Sequence, residues 1–326
     1  VRRTLRILAA ALVAISAPAF AQTDNGRDFN AYILKAVEVL NRNYPAKGYA
    51  NSAYTHALTY GPDKSKKIRP GNAPYTMCVA AVAEVIITAL DLYMDDHKNN
   101  PEVARKVLDY LPPEGWSRMR PKDIKSHLWV DPRLKASGTA DALSTFGIGR
   151  HADFEKLRPG AFINLNRTNR TGHAVVFLGY IDRNGDDVRA HGPSVVGFRY
   201  FSSQGATRAP GSGFGYRYAF LNQNNRSFCP SLGGGRKVDC DIIARRDQNY
   251  LNTGYMLHPD YWDAAYRDRS LEQVVARIYN QDYSRSPARL GLRPGLSRAQ
   301  FEAALRRTDT MKLDPKYLDQ RMPEER

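Results

Sequence analysis

The feature that most constrains this chain is the apolar run from Val79 to Met94, interrupted only by Glu84, Thr88 and Asp91 and free of Gly and Pro. Alanine-rich and apolar on every side, it predicts a central helix buried all round. The rest of the fold must then be arranged to cover it. Pro70-Gly71 and Pro74 punctuate the approach, so Cys78 falls in the first turn of that helix. Further helices are expected over 27–43, where Phe29, Ile33, Ala36, Val37 and Leu40 recur at helical spacing, and over 101–111, behind Asn100 as cap and Pro101 at the first position. A short helix is expected at 138–147.

The texture then changes. Residues 162–165, 174–181 and 195–202 are strand-like runs divided by turns such as Arg183-Asn184-Gly185-Asp186. Residues 210–262 read as loop-rich, and helical character returns at 270–279 and 298–306. Helices first and a sheet afterwards predict an α+β fold with segregated layers.

Arg2, Arg3 and Arg6, the apolar run Leu8 to Ala17 and Ala19-Phe20-Ala21 form the three parts of an export signal. The apolar run is too short to span a bilayer, which takes about 20 residues. Residues 1–21 are therefore expected to be a cleaved signal, with no stable membrane span afterwards and a periplasmic or secreted destination. Removing those three arginines takes the formal charge from +15 to +12. A basic exported chain points to an anionic polymer such as the cell wall, and away from nucleic acid.

An oxidising compartment gives the three cysteines meaning. Cys229 and Cys240 enclose a short loop and are expected to pair, leaving Cys78 as the odd thiol. At a helix N-terminus the dipole and free N–H groups favour the thiolate, the nucleophilic form. A thiol nucleophile needs a base, and the base an orienter. Of the seven histidines, only His173 opens a strongly apolar strand, where alternation groups it with Val175 and Phe177. Pairing that strand antiparallel with 195–202 sets position 173 roughly opposite Ser202, with Gln204 on the same face. Gln204 is the expected orienter and Ser202 the fallback. The Cys78 N–H and Asn72, six residues upstream, are candidate oxyanion donors. No histidine shows metal-ligand spacing, so neither metal nor organic cofactor is implied. Glu84 reads as a rim residue or a buried, hydrogen-bonded group rather than a site acid.

Together, Pro74-Tyr75-Thr76-Met77-Cys78-Val79-Ala80, Leu157-Arg158-Pro159-Gly160-Ala161-Phe162 and Gly172-His173-Ala174-Val175-Val176-Phe177 resemble the papain-like cell-wall cysteine hydrolases, the NlpC/P60 and CHAP families above all. The resemblance covers roughly Pro70 to Phe214. It departs from the NlpC/P60 pattern at Met77 and Val79, which flank the cysteine, and at Ala161, where an acid is usual. It implies a Cys-bearing helix packed on an antiparallel sheet, with Cys78 as nucleophile, His173 as base and Gln204 or a neighbour third. The expected organisation is a signal at 1–21, a hydrolase domain at 22–262 and a helical tail at 263–326. The expected activity is hydrolysis of an amide bond in peptidoglycan. The alternatives are a non-catalytic cell-wall binder on the same fold, which an inert or buried Cys78 would favour, and a papain-like protease or acyltransferase acting on another substrate.

Overall fold

The computed structural model describes residues 26–284, apart from 45–47, 50–53, 65, 71–73, 130–133, 135, 206–211 and 223–225, together with Ala299 and Ala303. The proposed signal at 1–21, Asn72 and most of the helix expected at 298–306 lie outside the described residues.

The architecture is mixed α+β, with several helices and a mostly antiparallel sheet. The central helix forms where the apolar run predicts it: α2 spans Cys78–Asp96, and 14 of its residues are buried, too many for one amphipathic stripe. Its stability therefore comes from neighbours on several sides. Helix α1 (Asn30–Asn43) supplies one of them, with Ile33, Ala36, Val37 and Leu40 in the same core. Helix α3 (Pro101–Tyr110) starts at the expected cap, where the Asn100 side chain accepts from the Glu102 N–H at 3.2 Å and Pro101 occupies the first turn. Short helices α4 (Glu114–Ser117), α5 (Ile124–Leu128) and α6 (Thr139–Thr145) complete this side. Among the described residues no helix is long and apolar enough to cross a membrane.

A hairpin of β1 (Leu58–Thr59) and β2 (Lys67–Ile68) stands apart from the main sheet. The main sheet comprises β3 (Gly149–His151), β4 (Phe162–Asn166), β5 (Gly172–Ile181), β6 (Asp187–Val188), β7 (Gly197–Gln204), β8 (Gly213–Asn222), β9 (Val238–Ile243) and β10 (Leu251–Met256). Its order is β3-β10-β4-β5-β7-β8-β9, with β6 on β5, and every pair is antiparallel except β8 with β9. The stretch 210–262, expected to be loop-rich, thus supplies three strands. These strands carry Gly, Arg, Asn and Asp among their apolar residues and lack the uninterrupted apolar run that marks β5.

Two cores share the sheet. Ala174 and Val176 of β5 and Phe201 of β7 face α2 and join its core. Val175 and Phe177 of β5, Phe198 and Tyr200 of β7, Leu221 of β8 and Ile242 of β9 form a second core on the opposite face. The sheet curls around that second core. Arg167, just past β4, bridges to Ile242 of β9, and the Thr168 N–H donates to the Asp241 carbonyl at 3.1 Å. Strands β4, β5, β7, β8 and β9 therefore roll towards a barrel, with α2 packed outside it. The Cys229–Cys240 disulfide is formed and ties the segment before β9 to the strand itself, with Cα atoms 5.5 Å apart. Helix α7 (Ala264–Ser284) packs through Val274 and Ile278 against Leu134 and Ala136.

Candidate functional site

Cys78 opens α2 behind Met77, an extended N-cap residue with no side-chain cap. The Met77 side chain therefore does not cap the N–H groups of the first turn. The thiol is fully buried, at 0% exposure. The Tyr49 hydroxyl donates to its Sγ at 3.7 Å, and the Ser203 hydroxyl, reaching from β7, donates to the Thr76 carbonyl at 2.9 Å. Ala174 and Phe201 belong to the same apolar cluster as Cys78.

His173 sits at the start of β5, as expected, and alternation places it with Val175 and Phe177. Those residues belong to the second core, whereas Ala174 and Val176 belong to the core of Cys78. The sheet thus stands between the thiol and the imidazole. His173 is buried inside the curl, its ring edge-on to Tyr200 at 5.8 Å, and its Nε2 has no hydrogen-bond partner among the described residues. Burial lowers its pKa well below the usual histidine value, and the Arg167 and Arg217 charges push the same way. An imidazolium, which a thiolate–imidazolium pair requires, is disfavoured at this position.

Strand pairing brings Gln204 to the same face as His173. The β5–β7 register sets Val176 opposite Phe201, and continuing it sets position 173 opposite 204 rather than 202. Gln204 is nonetheless engaged elsewhere: its Oε1 lies 2.6 Å from the Tyr200 hydroxyl. Among the described residues no hydrogen bond joins it to His173. Ser202 donates to the Ala174 carbonyl at 2.7 Å, a contact within the sheet. The structure therefore groups His173 with Gln204 and leaves Cys78 on the far side.

What fills this end of the curl is an ion-pair network that the sequence reading missed. Arg167 donates through Nε and Nη2 to both oxygens of Asp239, each at 2.7 Å, in a bidentate pair with both side chains about 95% buried. The Tyr200 hydroxyl lies 2.9 Å from Asp239 Oδ2, and Arg167 also donates to Thr171. The one sequence signal here is the proximity of Asp239 to Cys240, which places a charge beside a covalent anchor. Arg167 carries no local signal, since it follows β4 within a polar turn.

A second missed arrangement lies at the β3 edge. A cleft of about 330 Å³ is lined by Asn30, His151, Arg158 and Tyr255, among others, and includes neither Cys78 nor His173. Among the described residues no group of three or more His, Cys, Asp and Glu side chains is placed to hold a metal. Comparison with protein-family models, curated proteins and solved structures returns no match.

Proposed function

We propose that this chain is an exported binding protein that holds a cell-wall polymer, peptidoglycan in the first instance, without cleaving it through Cys78. One observation carries the reading: the thiol is fully buried on one face of the sheet while His173 occupies the other. A cysteine hydrolase needs nucleophile and base within hydrogen-bond reach, and the base must carry the proton in turn. Here the sheet lies between them, and two arginines oppose the charged imidazole. The sequence supports the rest of the reading. The formal charge, +12 once residues 1–21 are removed, suits an anionic polymer, and the disulfide is compatible with an oxidising compartment.

The competing reading, a peptidoglycan amidase or endopeptidase, draws on the helix-start position of Cys78, which favours a thiolate. One experiment separates the two. The chain lacking residues 1–21, and its Cys78→Ala variant, are incubated with purified peptidoglycan, and the pellet and released fragments are analysed. Binding is expected to be equal for both proteins, with no new amine ends, and the folded thiol is expected to resist iodoacetamide. Amine ends released by the parent chain alone would restore the hydrolase. Absence of both binding and release would remove peptidoglycan as partner.

A further inference from the structure

The cleft at the β3 edge is built where three elements converge. Asn30 opens α1, His151 closes β3, and the 3-10 turn Phe154–Lys156 leads into Leu157 and Arg158 on its other wall. At about 330 Å³ it is at the small end of ligand clefts, so its occupant is a single ring or residue rather than a folded partner.

Two of its polar groups are held in place with hydrogen-bonding capacity to spare. The His151 ring is fixed by Asp141, whose Oδ1 lies 2.6 Å from Nε2. Asp141 is itself fixed by the Ser137 N–H at 2.7 Å and the Asn252 amide at 2.8 Å. This leaves Nδ1 of a half-exposed ring without a hydrogen-bond partner among the described residues. Asn30 is 6% exposed, and its Oδ1 is buried with no partner among the described residues. The side chain is pinned from behind by Gly160, which has φ +93°; a Cβ there would come within 2.7 Å of the Asn30 Cβ. A buried amide oxygen without a partner is costly unless something pairs with it.

The chemistry of these two groups selects the ligand. An imidazole Nδ1 accepts when neutral and donates when protonated, and an amide edge offers an acceptor and a donor side by side. A hydroxyl, which both donates and accepts, satisfies each of them in every state. The Tyr255 ring and the Leu157 side chain supply apolar surface in the same cleft. Arg158, paired with Asp28, and the exposed Lys156, paired with Asp153, set two ion pairs at its wall, Asp153 itself being part of the lining. Hydroxyls around a compact ring with an apolar C–H face match this combination.

We propose that the cleft is a saccharide site that takes one pyranose ring, with hydroxyls on Asn30 and His151 and the C–H face on Tyr255 and Leu157. The choice of a cell-wall sugar rests on the binding function proposed above; the site itself rests on the cleft. The test is saturation-transfer and chemical-shift NMR on the chain lacking residues 1–21, with N-acetylglucosamine and N-acetylmuramic acid as probes at millimolar concentration. Saturation transfer to at least one sugar is expected, with shifts confined to the cleft. Affinity should fall about tenfold or more in His151→Ala and in Asn30→Ala. Because Asn30 also starts α1, the half-exposed His151 variant carries the result if the other fails to fold. Absence of transfer to both sugars, or undiminished affinity in folded His151→Ala, would overturn the site. Free-sugar binding without sedimentation on peptidoglycan would leave the site standing and remove the polymer reading instead.

Discussion

The two faces of the central strands are both buried, yet they are filled by different means. Outside the curl, α2 lays Val79, Ala80 and Val82 into the same core as Ala174, Val176 and Phe201, and the polar groups described at the helix start include the Cys78 thiol and the Tyr49 and Ser203 hydroxyls. Inside it, aliphatic and aromatic packing gives way at one end to Arg167, Asp239, Tyr200, Gln204 and His173. The outer face tolerates a thiol because sulfur buries almost as a hydrophobe. The inner end holds full charges only because each is met by its partner, and removing one leaves the other stranded in low dielectric. Burial therefore says little about function until the partners are named.

The largest effect that would break this contrast is at the ion pair. Asp239→Ala is expected to destabilise the protein by about 3–5 kcal/mol, since it strands the Arg167 guanidinium. Replacing both members with apolar residues of similar volume should recover most of the loss, as read by denaturant unfolding. If Asp239→Ala is no worse than an average surface change, the inner end is solvated and the contrast fails.

Next comes the disulfide. Reducing Cys229–Cys240, or replacing both with serine, is expected to cost about 2–3 kcal/mol for so short a loop. The loss should appear in the unfolding midpoint, with the α2 core unaffected by near-UV signals from its own aromatics.

On the outer face, Cys78→Ala is expected to cost about 1–2 kcal/mol through lost packing, while Cys78→Ser should cost more than Cys78→Ala. A hydroxyl there must find a partner as strong as water. A serine variant as stable as the parent would show that the Tyr49 hydroxyl already satisfies an oxygen there.

The smallest net effect concerns pH. Burial pushes the Glu84 carboxyl up from 4.5 to about 7, against hydrogen bonds from Thr55 and Thr76. Its folded form holds a proton that the unfolded form has lost, so its contribution is full below pH 4.5 and falls as pH rises towards 7. Burial lowers the neighbouring His56 from 6.5 to about 4, so its contribution is present above 6.5 and is lost as pH falls towards 4. The two are 3.6 Å apart, and both are driven towards the neutral form rather than into an ion pair. Their slopes oppose each other and nearly cancel between pH 4.5 and 6.5, so the rise of native stability with pH across that range comes from His173 and His258, which burial also lowers. Glu84→Gln should steepen that rise, as followed by thermal melts across that range. A parent profile falling with pH would mean that the buried histidines titrate in the folded state as they do free.

The same two faces show how far the residues could be read. The apolar run at 79–94 announces α2, and the Asn100-Pro101 pair announces α3, because caps and all-round apolarity are local properties. The strands around 162–165, 174–181 and 195–202 were legible for the same reason, and so was the grouping of His173 with Val175 and Phe177. Which face the helix covers was not legible. That choice depends on where α2 docks, and a shift by one residue exchanges every side chain between faces. Strands β8 to β10 escaped because pairing, not composition, makes them strands. The His151–Asp141 pair, ten residues apart across a helix and a strand, likewise becomes visible only once β10 has joined β3 to the sheet.

The bridge that curls the sheet also has a consequence for the order in which the molecule assembles. Arg167 and Asp239 are 72 residues apart in the chain, whereas Cys229 and Cys240 are separated by 11. Loop-closure entropy makes the distant pair a late contact and the cysteine loop an early one. Until β9 arrives, the guanidinium of Arg167 lacks its carboxylate and the edge of β8 is open to pairing with another chain, so the closing strand also protects the sheet against edge-to-edge association.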